Sequence, residues 1–140
     1  MLDEETGFNN IERGRQKILF KGIKRIRNIR PTDIDGVMGY GKQVFVWFEG
    51  KVKGTPLSTG QKRLFKDLSE VIRDGGSKAY CVIFEHEVPI TEDVVMKDQL
   101  VSEYYNSSTL QWHTPKKSTT VLEAIDLIEE HEKIKRIKNK

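Results

Sequence analysis

With 140 residues, the chain is long enough for one domain that buries about two-thirds of its unfolded surface without covalent staples. A single cysteine excludes a disulfide framework, and no apolar run approaches the roughly 20 residues of a membrane-spanning helix. The net charge is only +3, but the charges are segregated along the chain.

The segregation starts early. Between Arg13 and Arg30 lie Arg15, Lys17, Lys21, Lys24, Arg25 and Arg27, with no acidic residue in between. A second basic group is Lys51, Lys53, Lys62, Arg63 and Lys66, whereas residues 85 to 103 carry Glu85, Glu87, Glu92, Asp93, Asp98 and Glu103 against Lys97 alone. Neutralising phosphates releases counterions and supplies most sequence-independent affinity, so clustered cations of this kind read as a nucleic-acid footprint. A solvated basic face is the plain alternative. The opening Met1-Leu-Asp-Glu-Glu is acidic where a secretory signal is basic, so the expectation is an intracellular, cytoplasmic protein with no membrane partner.

Phe8, Ile11, Leu19 and Phe20 anchor an expected first helix from Phe8 to about Lys21. Ile23 to Ile29 alternates with Lys and Arg as a first strand, and Pro31 then marks a strand entry or a sheet edge. Residues 33 to 51 hold the main conflict in the pattern. Ile34 to Gly39 and Val44 to Val52 read as two strands joined by Gly41-Lys42-Gln43, a short loop suited to a hairpin. Along the second strand Val44, Val46, Phe48 and Val52 share one face, and Phe45, Trp47, Glu49 and Lys51 share the other. Two apolar faces place this strand inside a covered sheet, where Glu and Lys are seldom buried unless paired or binding something.

The loop sets a register in which Asp35 faces Glu49, with Cβ atoms about 5 Å apart. A cation relieves that repulsion. Two carboxylates and the carbonyl of Gly50 form a hard oxygen set suited to Mg²⁺ or Mn²⁺. Lys51, on the face of Glu49, is placed to orient a water or to steady charge on a phosphate. Asp33 competes with Asp35 by the same period of two. Asp35 is preferred because Gly36 leaves room for close backbone approach, which makes Asp33 a turn or capping residue. A one-residue slip of the hairpin would remove Asp35 from the face of Glu49.

Ser58-Thr59-Gly60-Gln61 is a capping box opening a helix on Leu64, Phe65, Leu68, Val71 and Ile72, which Asp74-Gly75-Gly76 ends. Lys62 and Arg63 oppose the helix dipole at its start, a cost that a bound phosphate would relieve. Ala79 to Phe84 reads as a buried strand, with Cys81 a core residue, parallel to the strand before the helix. In Glu85-His86-Glu87 the histidine points away from both carboxylates, so no metal triad is expected there. Val101 to Tyr105 and Leu110 to Thr114 suggest a hairpin whose aromatics either pack on the sheet or stack on bases. Thr120-Val-Leu-Glu123 is a second capping box, opening a helix through Ile125 and Ile128, and Lys133 to Lys140 is a basic tail. The expected fold is α/β (α+β): a central mixed β-sheet flanked by helices, in a single domain of residues 1–140.

The order Pro31-Thr-Asp-Ile-Asp35 followed by Glu49-Gly50-Lys51 resembles the PD-(D/E)xK nuclease superfamily. Leu57-Ser58-Thr-Gly-Gln61, with Gly75-Gly76 and an apolar strand behind it, is similar to the stand-alone VRR-type nucleases, and Holliday-junction resolvases are the other close relatives. The resemblance covers roughly residues 12 to 86. It implies a restriction-endonuclease-like core and metal-dependent hydrolysis of DNA that leaves a 5′-phosphate.

The resemblance also implies that Glu12 brings a further carboxylate from the first helix and that Gln61 touches a phosphate or a water. Read without it, Glu12 is an exposed glutamate pairing with Gln16 or an Arg, and Gln61 is a complete helix cap. Arg13, Lys17, Lys53, Lys62 and Arg63 are the expected DNA contacts. No separate specificity domain is evident, which favours recognition by shape and hence branched or Holliday-junction DNA. Paired cuts at a four-way junction would call for a homodimer. A RecB-like exonuclease and a non-catalytic nucleic-acid-binding module that retains the fold are the alternatives.

Overall fold

The computed structural model describes residues 19–23, 27 and 31–134. The chain divides after Asp33 into two units, 1–33 and 34–140. In the first, Gly22 has a φ of 83° and the amide of Ile23 closes a turn onto the carbonyl of Phe20 at 3.2 Å. Of the expected strand Ile23–Ile29, Ile23 and Arg27 alone are described. Neither lies in a strand: Ile23 closes that turn, and Arg27 has a φ of 59°. The expected first helix lies outside the described residues as far as Ile18, and its expected end, Leu19 to Lys21, is not helical; Glu12, Arg13 and Lys17 lie outside the described residues too.

The second unit is a five-stranded mixed sheet, an α+β fold with its strands in sequential order. Strands β1 (Gly36–Tyr40) and β2 (Val44–Val52) form the expected antiparallel hairpin, with Gly41 at its turn in the left-handed region, φ 61°. Helix α1 (Thr59–Asp74) then carries the chain over to β3 (Lys78–His86), which runs parallel to β2. Strands β4 (Leu100–Asn106) and β5 (Gln111–His113) complete the sheet as an antiparallel hairpin, and α2 (Val121–His131) follows. Both helices open with the capping boxes read from the sequence, Ser58 with Gln61 and Thr120 with Glu123. No helix of the described residues is long and apolar enough to cross a membrane.

Strand alternation divides the interior in two. The even residues of β2, Val44, Val46 and Phe48, pack with Val82, Val121 and Ile128 under α2. Its odd residue Trp47 packs with Phe65, Cys81, Ile83 and Tyr105 under α1. Cys81 is fully buried in the latter core, and burial pushes its thiol pKa up, which fits a core residue and not a nucleophile.

Helix α1 corrects one expectation. Its apolar residues form two adjacent stripes, and only one faces the sheet. Phe65 and Ser69 are buried, whereas Leu64, Leu68 and Val71 are 39%, 36% and 68% exposed. The buried stripe contains a serine because its hydroxyl donates to the carbonyl of Phe65 at 2.8 Å and so needs no partner on the sheet.

Two tyrosines fasten the sheet to the segment around the end of α2. The hydroxyl of Tyr40 donates to Glu129 at 2.7 Å, and that of Tyr80 donates to Glu132. Burial, reinforced by Glu129, pushes the pKa of Tyr40 up to about 12, and burial with Glu132 raises that of Tyr80 further. Since both groups are held neutral in the folded state, their contribution is complete below about pH 10, the ordinary tyrosine value, and is lost as pH rises through the folded values. In a spectroscopic alkaline titration Tyr40 and Tyr80 should therefore ionise later than free tyrosine. Tyr40→Phe should remove the late phase centred near about pH 12.

Candidate active site

The candidate site forms where β1 begins, beside the end of β2 remote from the hairpin turn. Gly36 pairs with Phe48, the register the loop length predicts, in which the next pair would set Asp35 opposite Glu49. The chain bends at Asp35, however, and its side chain does not simply continue the alternation. Its amide donates to the carbonyl of Phe48 at 3.2 Å, and its carboxylate Oδ2 accepts the amide of Gly50 at 2.7 Å. A side-chain acceptor thus takes over from main-chain pairing at the start of β1. The amide and carbonyl of one strand residue leave on the same edge, so the carbonyl of Gly50 faces the side on which β1 has not yet begun.

Glu49 is 6% exposed on the α1 face, beside the buried Trp47 and Cys81. Lys51, half-buried on that same face, pairs in register with Glu85 of β3. Among the described residues Lys51 makes no ion pair. Between Glu49 and Lys51 a glycine is required. A Cβ on Gly50 would lie 2.4 Å from the ring of Phe84, which crosses the strand on its α2 side. Gly50→Ala should therefore destabilise the protein by about 1–3 kcal/mol, measured by chemical denaturation, because a ring in a packed core has to move. Phe84→Leu in the same chain should recover part of that loss.

The remaining residues singled out in the sequence divide by role. Gln61 is a structural cap: its amide donates to Ser58 Oγ at 3.1 Å and its Oε1 accepts the amide of Ser58 at 3.2 Å. Lys62 reaches Glu103 at 3.3 Å and lies 5.3 Å from the centre of the Trp112 ring, so its charge is already engaged. Lys53 pairs with Glu87 at 3.5 Å in an exposed setting, and Arg63 is exposed. His86 is used locally, its Nδ1 accepting the amide of Val88 at 3.2 Å. The β4–β5 aromatics take the sheet-packing alternative. Tyr105 is buried against Trp112, with rings 5.4 Å apart, and Tyr104 stacks on His113 at 5.2 Å.

Glu103 is the residue that sequence reasoning missed. It pairs with Ile83 and so stands on the α1 face, in the same cross-sheet row as Glu49. The reason is a bulge. Ile83 pairs with Glu103 while Phe84 pairs with Val101, leaving Ser102 as an extra residue that reverses the alternation. A period of two puts Val101 and Glu103 on one face; the bulge puts them on opposite faces. Local sequence spacing gives no sign of the contact to Lys62, since the two partners lie 41 positions apart.

Among the described residues no three His, Cys, Asp or Glu side chains converge as a metal cluster. The donor set that remains is two carboxylates and a carbonyl: Asp35, bonded to the Gly50 amide, and Glu49, the residue before Gly50, with the Gly50 carbonyl. These are hard oxygen donors at the end of a strand, chemically matched to a small divalent cation that keeps several waters. Comparison of the chain with protein-family models, with curated proteins and with solved structures finds no match.

Proposed function

We propose that the chain is a divalent-metal-dependent deoxyribonuclease of the PD-(D/E)xK kind, a structure-selective endonuclease acting on branched or Holliday-junction DNA. The observation that carries this reading is the bond from Gly50 to Asp35. It sets a carboxylate beside the strand residue that separates Glu49 from Lys51. The mixed sheet with a parallel β2–α1–β3 unit suits a restriction-endonuclease-like core.

In this reading Asp35, Glu49 and the Gly50 carbonyl hold Mg²⁺ or Mn²⁺. Bound there, such an ion supplies Lewis-acid polarisation of the scissile phosphate and acidifies a water. The Lys51 ammonium, which makes no ion pair among the described residues, steadies the negative charge that grows on the phosphate or orients the attacking water. Asp35 is held in place by the Gly50 amide, so the carboxylate is oriented before any substrate arrives. DNA is the expected partner, and a homodimer would supply the paired cuts a four-way junction needs.

The second reading is a non-catalytic nucleic-acid-binding module with the same fold. It is favoured by the burial of Glu49 and by the commitment of an Asp35 oxygen to the main chain. One experiment separates the two. End-labelled four-way junction and linear duplex DNA are incubated with the protein in Mg²⁺, in Mn²⁺ and in excess chelator. Metal-dependent cleavage that prefers the junction and leaves 5′-phosphate ends supports the nuclease. Binding without cleavage in either metal rejects it, and progressive shortening from linear ends points to an exonuclease.

A further inference from the structure

On the opposite side of the sheet from Glu49 and Lys51, a cavity of about 410 Å³ opens between the sheet, α2 and the loop that precedes α2. That volume is within the range of about 300–1,000 Å³ typical of small-molecule sites. Its origin can be read from α2. Val121 and Ile128 are buried against the sheet two turns apart, and between them stands Ala124, whose methyl group leaves the intervening space unfilled. Tyr80, Val82, Val101 and Tyr104 form the floor, and Ala124, Leu127 and Ile128 form one wall.

The lining also carries polar groups, Asn106 and Thr119 among them. Lys116 and Lys117 from the loop and His131 from the end of α2 line the cavity, and no Asp or Glu does so among the described residues. Both lysines line the cavity while remaining exposed to solvent. An apolar interior with solvent-exposed cations in its lining matches a ligand that is apolar along its body and anionic at one end. We propose that this cavity binds a small amphipathic carboxylate, its hydrocarbon part lying on Val82, Val101 and Tyr104 and its carboxylate between Lys116 and Lys117. The site shares no residue with Asp35, Glu49 and Lys51, so the inference stands apart from the nuclease reading.

The test is a titration of the isotope-labelled full chain, followed by amide chemical shifts, with octanoate, 1-octanol and octylammonium as probes. Octanoate should shift amides of β4, residues 115–119 and α2 in a saturable way. It should bind about tenfold more tightly than 1-octanol, the gain expected of one ion pair near a protein surface, and octylammonium should bind more weakly still. In Lys116→Glu/Lys117→Glu, which alters only exposed loop positions, the preference for octanoate should vanish while 1-octanol binding persists. In Ala124→Phe the cavity is filled and all three probes should lose their effect, with circular dichroism showing the fold retained. Octanoate shifts that are absent, that fall elsewhere, or that are matched by octylammonium overturn the proposal. So does an octanoate preference that survives the double charge reversal.

Discussion

Lys51→Ala is expected to slow metal-dependent cleavage of junction DNA by roughly a hundred- to a thousandfold, the cost of removing one charge-stabilising group from a transition state. Asp35→Asn should lower the rate by at least as much, and the two losses should arise differently. The asparagine keeps an oxygen that can accept the Gly50 amide but loses the negative charge, so raising the Mg²⁺ concentration should recover part of its activity. No metal concentration should recover Lys51→Ala. Because Lys51 is only half-buried and unpaired among the described residues, its removal should shift the thermal midpoint little. Single-turnover rates measured across a metal titration, beside thermal unfolding of each variant, separate these outcomes. A Lys51→Ala protein that cleaves at the parental rate removes Lys51 from the mechanism.

Phe65→Ala is the largest expected loss of stability, about 3–5 kcal/mol, equivalent to a fall in thermal midpoint of roughly 10–15 °C. The ring is fully buried under α1, 6.4 Å from that of Trp47, and few neighbouring groups can move to close the space. The next stripe of the same helix supplies the control. Leu68 is 36% exposed, and Leu68→Ala should cost under about 1 kcal/mol. Both values come from chemical denaturation. Equal losses at the two positions would mean that the stripe of Leu64, Leu68 and Val71 is covered in solution.

The hairpin was legible because three residues, Gly41 to Gln43, leave only one register compatible with alternation on both strands, and the structure has that register. The two capped helices were legible from Ser58 with Gln61 and from Thr120 with Glu123, whose paired hydrogen bonds depend on local spacing alone. Local spacing could not say which stripe of α1 turns inward. Leu64, Leu68 and Val71 are the more apolar choice, yet Phe65 with a self-satisfied Ser69 is what the sheet accepts. Nor does a period of two survive the extra residue at Ser102, so Glu103 and its contact to Lys62 were hidden. Asp35 lies between these cases. The hairpin register stops one residue short of it, and its carboxylate bonds to a backbone amide where simple alternation leaves it facing Glu49.

That bond at 2.7 Å makes the Gly50 amide proton a built-in indicator. An amide held by a carboxylate resonates well downfield and responds to every change in that carboxylate's charge. Since glycine amides fall in a sparsely populated region of a nitrogen–proton correlation spectrum, the Gly50 resonance can be followed alone as Mg²⁺, Mn²⁺ or acid is added. The occupancy of the carboxylate can then be read without any substrate and without any turnover.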